Sequence, residues 1–211
     1  MKLYNANFSP NALRVRAVAL ELGIDLEIIE VDVFKGGTRT DEFLALNPNA
    51  KIPVLQDEDF VIWESRAINT YLASKKPEHG LYPDDPKARA MVDQWSNWQT
   101  IHLGPAMQKL SFERFLKGKF GMGDPDQSVI DAEIKNVDQF LAVLETGLEG
   151  KDWIAGSLSV ADFALATTFM YREQSDISLD ALPNVKNWIE RLEARKSWQD
   201  ALAPLMAMFG G

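Results

Sequence analysis

Residues 49–55 read NAKIPVL and residues 63–68 read WESRAI. The first is a short apolar run of strand character with a proline inside it. Proline brings no N–H to a ladder, so a strand that carries one begins there or runs at a sheet edge. About 5% of X–Pro bonds are cis. A cis Ile52–Pro53 bond would turn the chain and leave the Ile52 N–H and C=O outward, free to pair with an extended peptide. The second stretch ends one strand and starts a helix across Glu64 and Ser65. Between the two, DED (57–59) reads as a tight hairpin turn.

Upstream, strand and helix signals alternate. KLYNA (2–6) is a short strand, and PNALRVRAVALELG (10–23) is a helix, with Leu13, Arg16, Ala17 and Leu20 at helical spacing and Gly23 as its stop. DLEIIEVDV (25–33) alternates as a strand, KGGTR (35–39) is a loop, and TDEFLALN (40–47) is a short helix closed by Pro48. KIPVLQ and FVIW are strands, and SRAINTYLASK is a helix. The predicted order is βαβαββα, two parallel strands plus an antiparallel hairpin.

The texture then changes. KKPEHGLYPDDPK (75–87) holds three prolines and a glycine and reads as a linker. Beyond it nearly everything is helical: ARAMVDQWSNWQTIHL, SVIDAEIKNVDQFLAVLETGL, SVADFALATTFMYREQ and VKNWIERLEARKS. Ser159 and Asp162 form a capping-box variant, with Leu158 and Phe163 as its hydrophobic staple. The expected fold class is α/β plus all-α, with a small α/β domain over 1–75, a linker over 76–86 and an all-helical domain over 87–211.

Bulk composition excludes several functions. The 211 residues are 46% hydrophobic, enough for a globular core, and no apolar run approaches the roughly 20 residues of a membrane span. The start, MKLYNANFSP, has no signal-peptide pattern. The net charge is −9 with scattered basic residues, so nucleic acid is not an expected partner. An anionic ligand needs a local positive pocket or helix N-termini. The absence of cysteine excludes disulfides, a thiolate nucleophile and zinc–thiolate sites, and fits the cytoplasm. Two distant histidines, His79 and His102, do not suggest a metal site.

Two readings stand side by side for each polar candidate. Ser9 before Pro10 is an ordinary helix start, or a hydroxyl at the end of the first strand that donates to a substrate anion. Glu64 and Ser65 cap a helix, or receive a zwitterionic amino-acid head group. In the second case the Ser65 hydroxyl and first-turn N–H groups hold a carboxylate and Glu64 holds an ammonium.

Taken together, NPNAKIPVL, ESRAI, the proline-rich linker and SLSVADF resemble the glutathione transferases over nearly the whole chain. The resemblance implies a thioredoxin-like N-terminal domain, an all-helical C-terminal domain and, commonly, a homodimer. It implies glutathione as co-substrate, with the γ-glutamyl end at Glu64 and Ser65 and the cysteinyl part paired to the Ile52 backbone before cis Pro53. Lys51 lies alongside the peptide, and Arg39 with Thr38 meets the glycyl carboxylate. FSPNALRV makes Ser9 the catalytic hydroxyl, as in the serine-type classes, especially the phi- and theta-like ones. Tyr4 lies short of the turn, Asn11 is a second candidate donor, and Asp93 a candidate acid beside Glu64. Ser9 would stabilise the thiolate for attack on a small hydrophobic electrophile, in a pocket expected between the domains and lined from QWSNWQTIHLGPAMQKLSFERF (94–115), with KGKFGMGDPDQ (117–127) as its rim. A glutathione-dependent peroxidase, isomerase or dehalogenase uses the same thiolate. A non-enzymatic docking module of the same fold has no need of Ser9.

Overall fold

The computed structural model describes residues 1–209; Gly210 and Gly211, the end of the expected helical stretch, lie outside them. The chain groups into two units. One is Met1–Pro83 joined by the segment from Glu193 onward, the other is Asp84–Leu192.

The first unit runs β1 (Lys2–Asn5), α1 (Pro10–Glu21), β2 (Glu27–Glu30), α2 (Asp41–Leu46), β3 (Val54–Asp57), β4 (Phe60–Trp63) and α3 (Ser65–Ser74). The sheet order is β2-β1-β3-β4, with β1 parallel to β2 and antiparallel to β3, and β3 antiparallel to β4. This is a thioredoxin-like sheet in the order expected from the sequence. Its register matters most. Asn5 pairs with Glu30, Tyr4 with Val54, and Val54 with Trp63. The ends of β1, β2 and β4 and the start of β3 therefore lie at one end of the sheet.

Helix α1 starts at Ser9, whose hydroxyl accepts the Ala12 N–H at 3.3 Å, with Pro10 in the first helical position. It is not amphipathic: every residue from Ala12 to Ala19 is buried, while Leu20, expected inside, is 45% exposed. The reason is a third layer. α1 packs on α3 and also on α10 (Lys196–Phe209), which the sequence reading includes in the all-helical domain. Arg16 donates to the Asn5 side chain and, at 3.0 Å, to the Ala201 carbonyl. Glu21 accepts from Arg195 and from Ser197.

The second unit is helical: α4 (Pro86–Trp98), α5 (Gly104–Ser111), α6 (Lys117–Lys119), α7 (Gln127–Gly147), α8 (Val160–Ala166) and α9 (Pro183–Glu193). The one long helix expected after the linker is interrupted by wide π turns at Gln99–Leu103 and Phe112–Leu116. Pro105 supplies no N–H to continue an α ladder. Gly104 allows the closeness of the first turn, since a Cβ there would meet the Gln99 carbonyl oxygen at 2.6 Å. All seven residues of α8 are buried. It ends earlier than expected, tightening into a 3-10 turn at Thr167–Phe169, where the Thr167 hydroxyl bonds back to the Ala164 carbonyl.

Asp162 holds this core together. Its carboxylate accepts from the Ile154 and Ser159 N–H groups, the Ser159 hydroxyl and the Trp188 indole, all at 2.9–3.0 Å. The capping box read from SVADF is present. Among the described residues no helix is long and apolar enough to cross a membrane.

Two outcomes follow from these contacts. Asp162→Ala orphans several buried donors at once and should cost about 3–5 kcal/mol in urea denaturation. Burial alone would raise the Glu21 pKa, but hydrogen bonds from Arg195 and Ser197 hold it below its usual 4.5. A depressed carboxylate stabilises above its unfolded pKa and loses that contribution as pH falls through the folded value. Glu21→Gln should therefore cost about 1–3 kcal/mol at pH 7, and the gap from the unsubstituted protein should close below pH 4.5.

Candidate active site

The sheet register brings the sequence-predicted residues to one end of the first unit. Ser9 lies just past β1, Thr38 and Arg39 lie on the connection that leaves β2, Ile52–Pro53 leads into β3, and Glu64–Ser65 follows β4. Three segments far apart in sequence, those of Ser9, Ile52–Pro53 and Glu64–Ser65, thus come to one sheet end because their strands begin or end together, and the connection that carries Thr38 and Arg39 leaves β2 from the same end.

Ser9 is 8% exposed. Its oxygen is held by Ala12, and its proton is committed to no acceptor among the described residues. It is thus oriented and still able to donate. The turn before it is fixed from β2. Glu30 accepts the Asn7 N–H at 3.0 Å and an Asn5 amide hydrogen at 2.6 Å. Asn5 in turn accepts from Arg16. Burial pulls the Arg16 pKa down to about 10 against the opposing pull of Glu30, so it stays charged at neutral pH. Tyr4 is engaged elsewhere, donating to Gln56 at 3.3 Å.

The Ile52–Pro53 peptide is cis, and Pro53 is buried. Ile52 has no backbone partner among the described residues. The loop before it is shaped by Asn47, 2% exposed, which donates to the Lys51 carbonyl at 2.7 Å and accepts the Asn49 N–H at 3.0 Å. The Lys51 side chain is exposed and makes no hydrogen bond or ion pair among the described residues. Arg39 is likewise exposed on a short 3-10 turn, Gly37–Arg39, while its neighbour Thr38 is buried.

At α3 the first backbone bond runs from the Ile68 N–H to the Glu64 carbonyl at 2.9 Å. The Ser65 and Ala67 N–H groups ahead of it are free, as helix starts leave them. The Ser65 hydroxyl has no partner among the described residues and the side chain is 4% exposed. Glu64 sits at φ 72°, ψ 108°, left-handed backbone for a residue with a Cβ. Such a conformation costs of order 1–3 kcal/mol and marks sites where orientation outweighs stability. Arg66, two residues on, is drawn down to about 10 by burial, with Glu64 raising it.

Asn5, Glu30, Arg16, Asn47 and Arg66 were not found from the sequence as site residues. Only Asn47 carried a local signal, the Asn-Pro turn dipeptide. Asp93 lies on α4 in the second unit, and Asn11 is exposed on α1.

Residues 1–74 match the family model described as glutathione S-transferase, N-terminal domain, and residues 100–196 match its C-terminal domain. The chain is 36% identical over 209 residues to a Drosophila melanogaster glutathione S-transferase, covering 97% of this chain and 90% of the relative. It is also 36% identical over 211 residues to glutathione S-transferase 3 of Zea mays, covering 97% and 94%. Among solved structures, maize glutathione S-transferase I in complex with an atrazine–glutathione conjugate aligns with a TM-score of 0.88 at 32% identity, over 96% of each chain.

The strained Glu64 gives a direct test. Glu64→Gly relieves the left-handed backbone and should raise stability by about 1 kcal/mol in urea denaturation. The same change removes the Glu64 carboxylate and, if that group receives an ammonium as the sequence reading expects, should weaken binding of an α-amino acid head group, as read by calorimetry.

Proposed function

The chain belongs to the glutathione S-transferase family, and on that premise we propose that it activates the thiol of glutathione for attack on a small hydrophobic electrophile. The observation that carries this reading is the meeting of Ser9, Ile52–Pro53 and Glu64–Ser65 at one end of the sheet. An extended peptide laid along the Ile52 backbone spans from the α3 N-terminus to the α1 N-terminus. Ser65 and the α3 N–H groups receive its γ-glutamyl carboxylate, and Glu64 receives its ammonium. Lys51 lies alongside, and Arg39 with Thr38 meets the glycyl carboxylate. This resolves how a chain of charge −9 holds an anion: free cations and helix ends supply a local positive field.

A thiol of pKa about 8.5 is a few per cent ionised at pH 7. A hydrogen bond donated by Ser9 stabilises the thiolate and lowers that pKa. The thiolate then forms a C–S bond while the leaving group departs with the bonding pair, and the thiol proton passes to solvent. Ser9 acts as donor, not as base.

A hydrophobic acceptor is supported by Phe8, one residue before Ser9, whose ring lies 5.0 Å from that of Phe34. Phe34 is 64% exposed, a large apolar surface beside the nucleophile's position. An aromatic triazine conjugate is the ligand of the maize relative. A homodimer is supported by Phe60 and Trp63, exposed on the edge strand β4. A cytoplasmic site of action fits the reducing conditions that keep glutathione a thiol.

The test is an ultraviolet difference titration of glutathione bound to the protein, with Ser9→Ala alongside. The unsubstituted protein should show a saturable thiolate band at pH 7. Ser9→Ala should lose the band and about 10- to 100-fold of kcat/KM, the worth of one charge-assisted hydrogen bond. Binding without a thiolate band in the unsubstituted protein would replace the enzyme reading with a carrier.

A further inference from the structure

The seam between α1 and α3 contains a charge that no acid answers. Arg14 is 3% exposed, and its Nε and Nη1 have no hydrogen-bond partner among the described residues. A guanidinium does not shed its proton at neutral pH. A buried, unpaired cation is therefore one of the costlier groups a fold can hold. Burial draws the Arg14 pKa well down and Arg66 adds like-charge repulsion; no carboxylate offsets either.

The position of this charge is informative. Arg66 is the second residue of α3, directly after Ser65. Arg14 thus faces the first turn of α3, where free N–H groups already concentrate positive potential. One turn further, four residues after Ser65, Asn69 is 1% exposed with both Nδ2 and Oδ1 unpaired. Helix α3 therefore carries a second buried polar side chain without a partner among the described residues. Arg16, one turn on from Arg14's neighbour Leu13 on the same helix, differs in degree: its Nη1 and Nη2 reach Asn5 and the Ala201 carbonyl, while its Nε has no partner among the described residues.

We propose that Arg14 is a positioning residue for the γ-glutamyl carboxylate of glutathione, which supplies at the α3 N-terminus the negative charge that the buried guanidinium lacks. This inference rests on the glutathione reading of the site. The carboxylate touches Ser65 and the helix N–H groups. Arg14 acts behind them, through the field it sets at the helix end and through the packing of that end. A ligand with a carboxylate there relieves a repulsion built into the free protein; a ligand without one does not.

The role has a signature that a purely structural arginine lacks. Replacing an unpaired buried charge by an apolar side chain of similar length stabilises or leaves unchanged the free protein, while removing the field weakens glutathione. Arg14→Met and Arg14→Lys are compared with the unsubstituted protein by urea denaturation without ligand, by KM and kcat for glutathione, and by calorimetry. The calorimetric ligands are glutathione and 4-aminobutyryl-cysteinyl-glycine, which lacks only that carboxylate. Arg14→Met should denature at the same or higher urea concentration and raise KM by about tenfold with kcat nearly unchanged. It should bind the analogue as the unsubstituted protein does. Arg14→Lys should keep most of the glutathione affinity.

An Arg14→Met protein that unfolds, or that loses stability with KM unchanged, overturns the inference. So does an equal loss of affinity for glutathione and the analogue. In either case glutathione binding by the unsubstituted protein would leave the reading of the site intact. No binding of glutathione by the unsubstituted protein overturns both.

Discussion

From Ala12 to Ala19 helix α1 has no face left for water, and the first unit is organised around that constraint. A stretch of helix covered on all sides must satisfy its polar residues internally. Arg16 does so by joining the end of β1 to α10 through Asn5 and the Ala201 carbonyl. That junction explains why the segment from Glu193 onward belongs with the N-terminal unit. It also fixes the turn that carries Ser9, because the Asn5 that receives Arg16 is tied to Glu30 and Asn7. The Ser9 hydroxyl, proposed to point at one sulfur atom, is thus held by a helix that cannot rotate or fray without breaking buried contacts.

Polar satisfaction is distributed unevenly. Asp162, in the second unit, is 0% exposed and its carboxylate receives four hydrogen bonds. Glu21 meets Arg195 and Ser197 at the opposite end of α1 from Ser9. Left-handed backbone at Ala50 and Glu64 flanks Ile52–Pro53 and Ser65, and it recurs away from them at Glu58 and Asp176. Buried side-chain atoms without a partner among the described residues occur in both units, at Arg14 and Asn69 in the first and at Trp95 and Ser175 in the second.

The sequence was legible where the physics is local. Pro53 between apolar residues, the hairpin DED, Ser9-Pro10 and the SVADF box each report on a few neighbouring residues, and each appears in the structure. It was illegible where a third layer intervenes. Leu13, Arg16, Ala17 and Leu20 fit a helical stripe, yet α1 is buried all round and Leu20 is not inside. Periodicity records which face is apolar and cannot report a second covering helix 185 residues away. Arg14 and Asn69 stayed hidden for a related reason, since a charged or amide side chain in a helix reads as solvent-facing.

The two halves of the proposed reaction differ in the same way. The peptide side is built from backbone groups, helix ends and a proline, which any chain must encode with a small set of residues. The acceptor side is built from side-chain surface such as Phe8 and Phe34, where many residues of similar size would serve. Shape there changes without disturbing Ser9, whose orientation is set by Pro10, the Ala12 N–H and the Asn5–Glu30 pair beneath it. Thiol activation and acceptor choice are therefore separable in this fold: the first is anchored to the buried helix, the second to a rim that packing leaves free to vary.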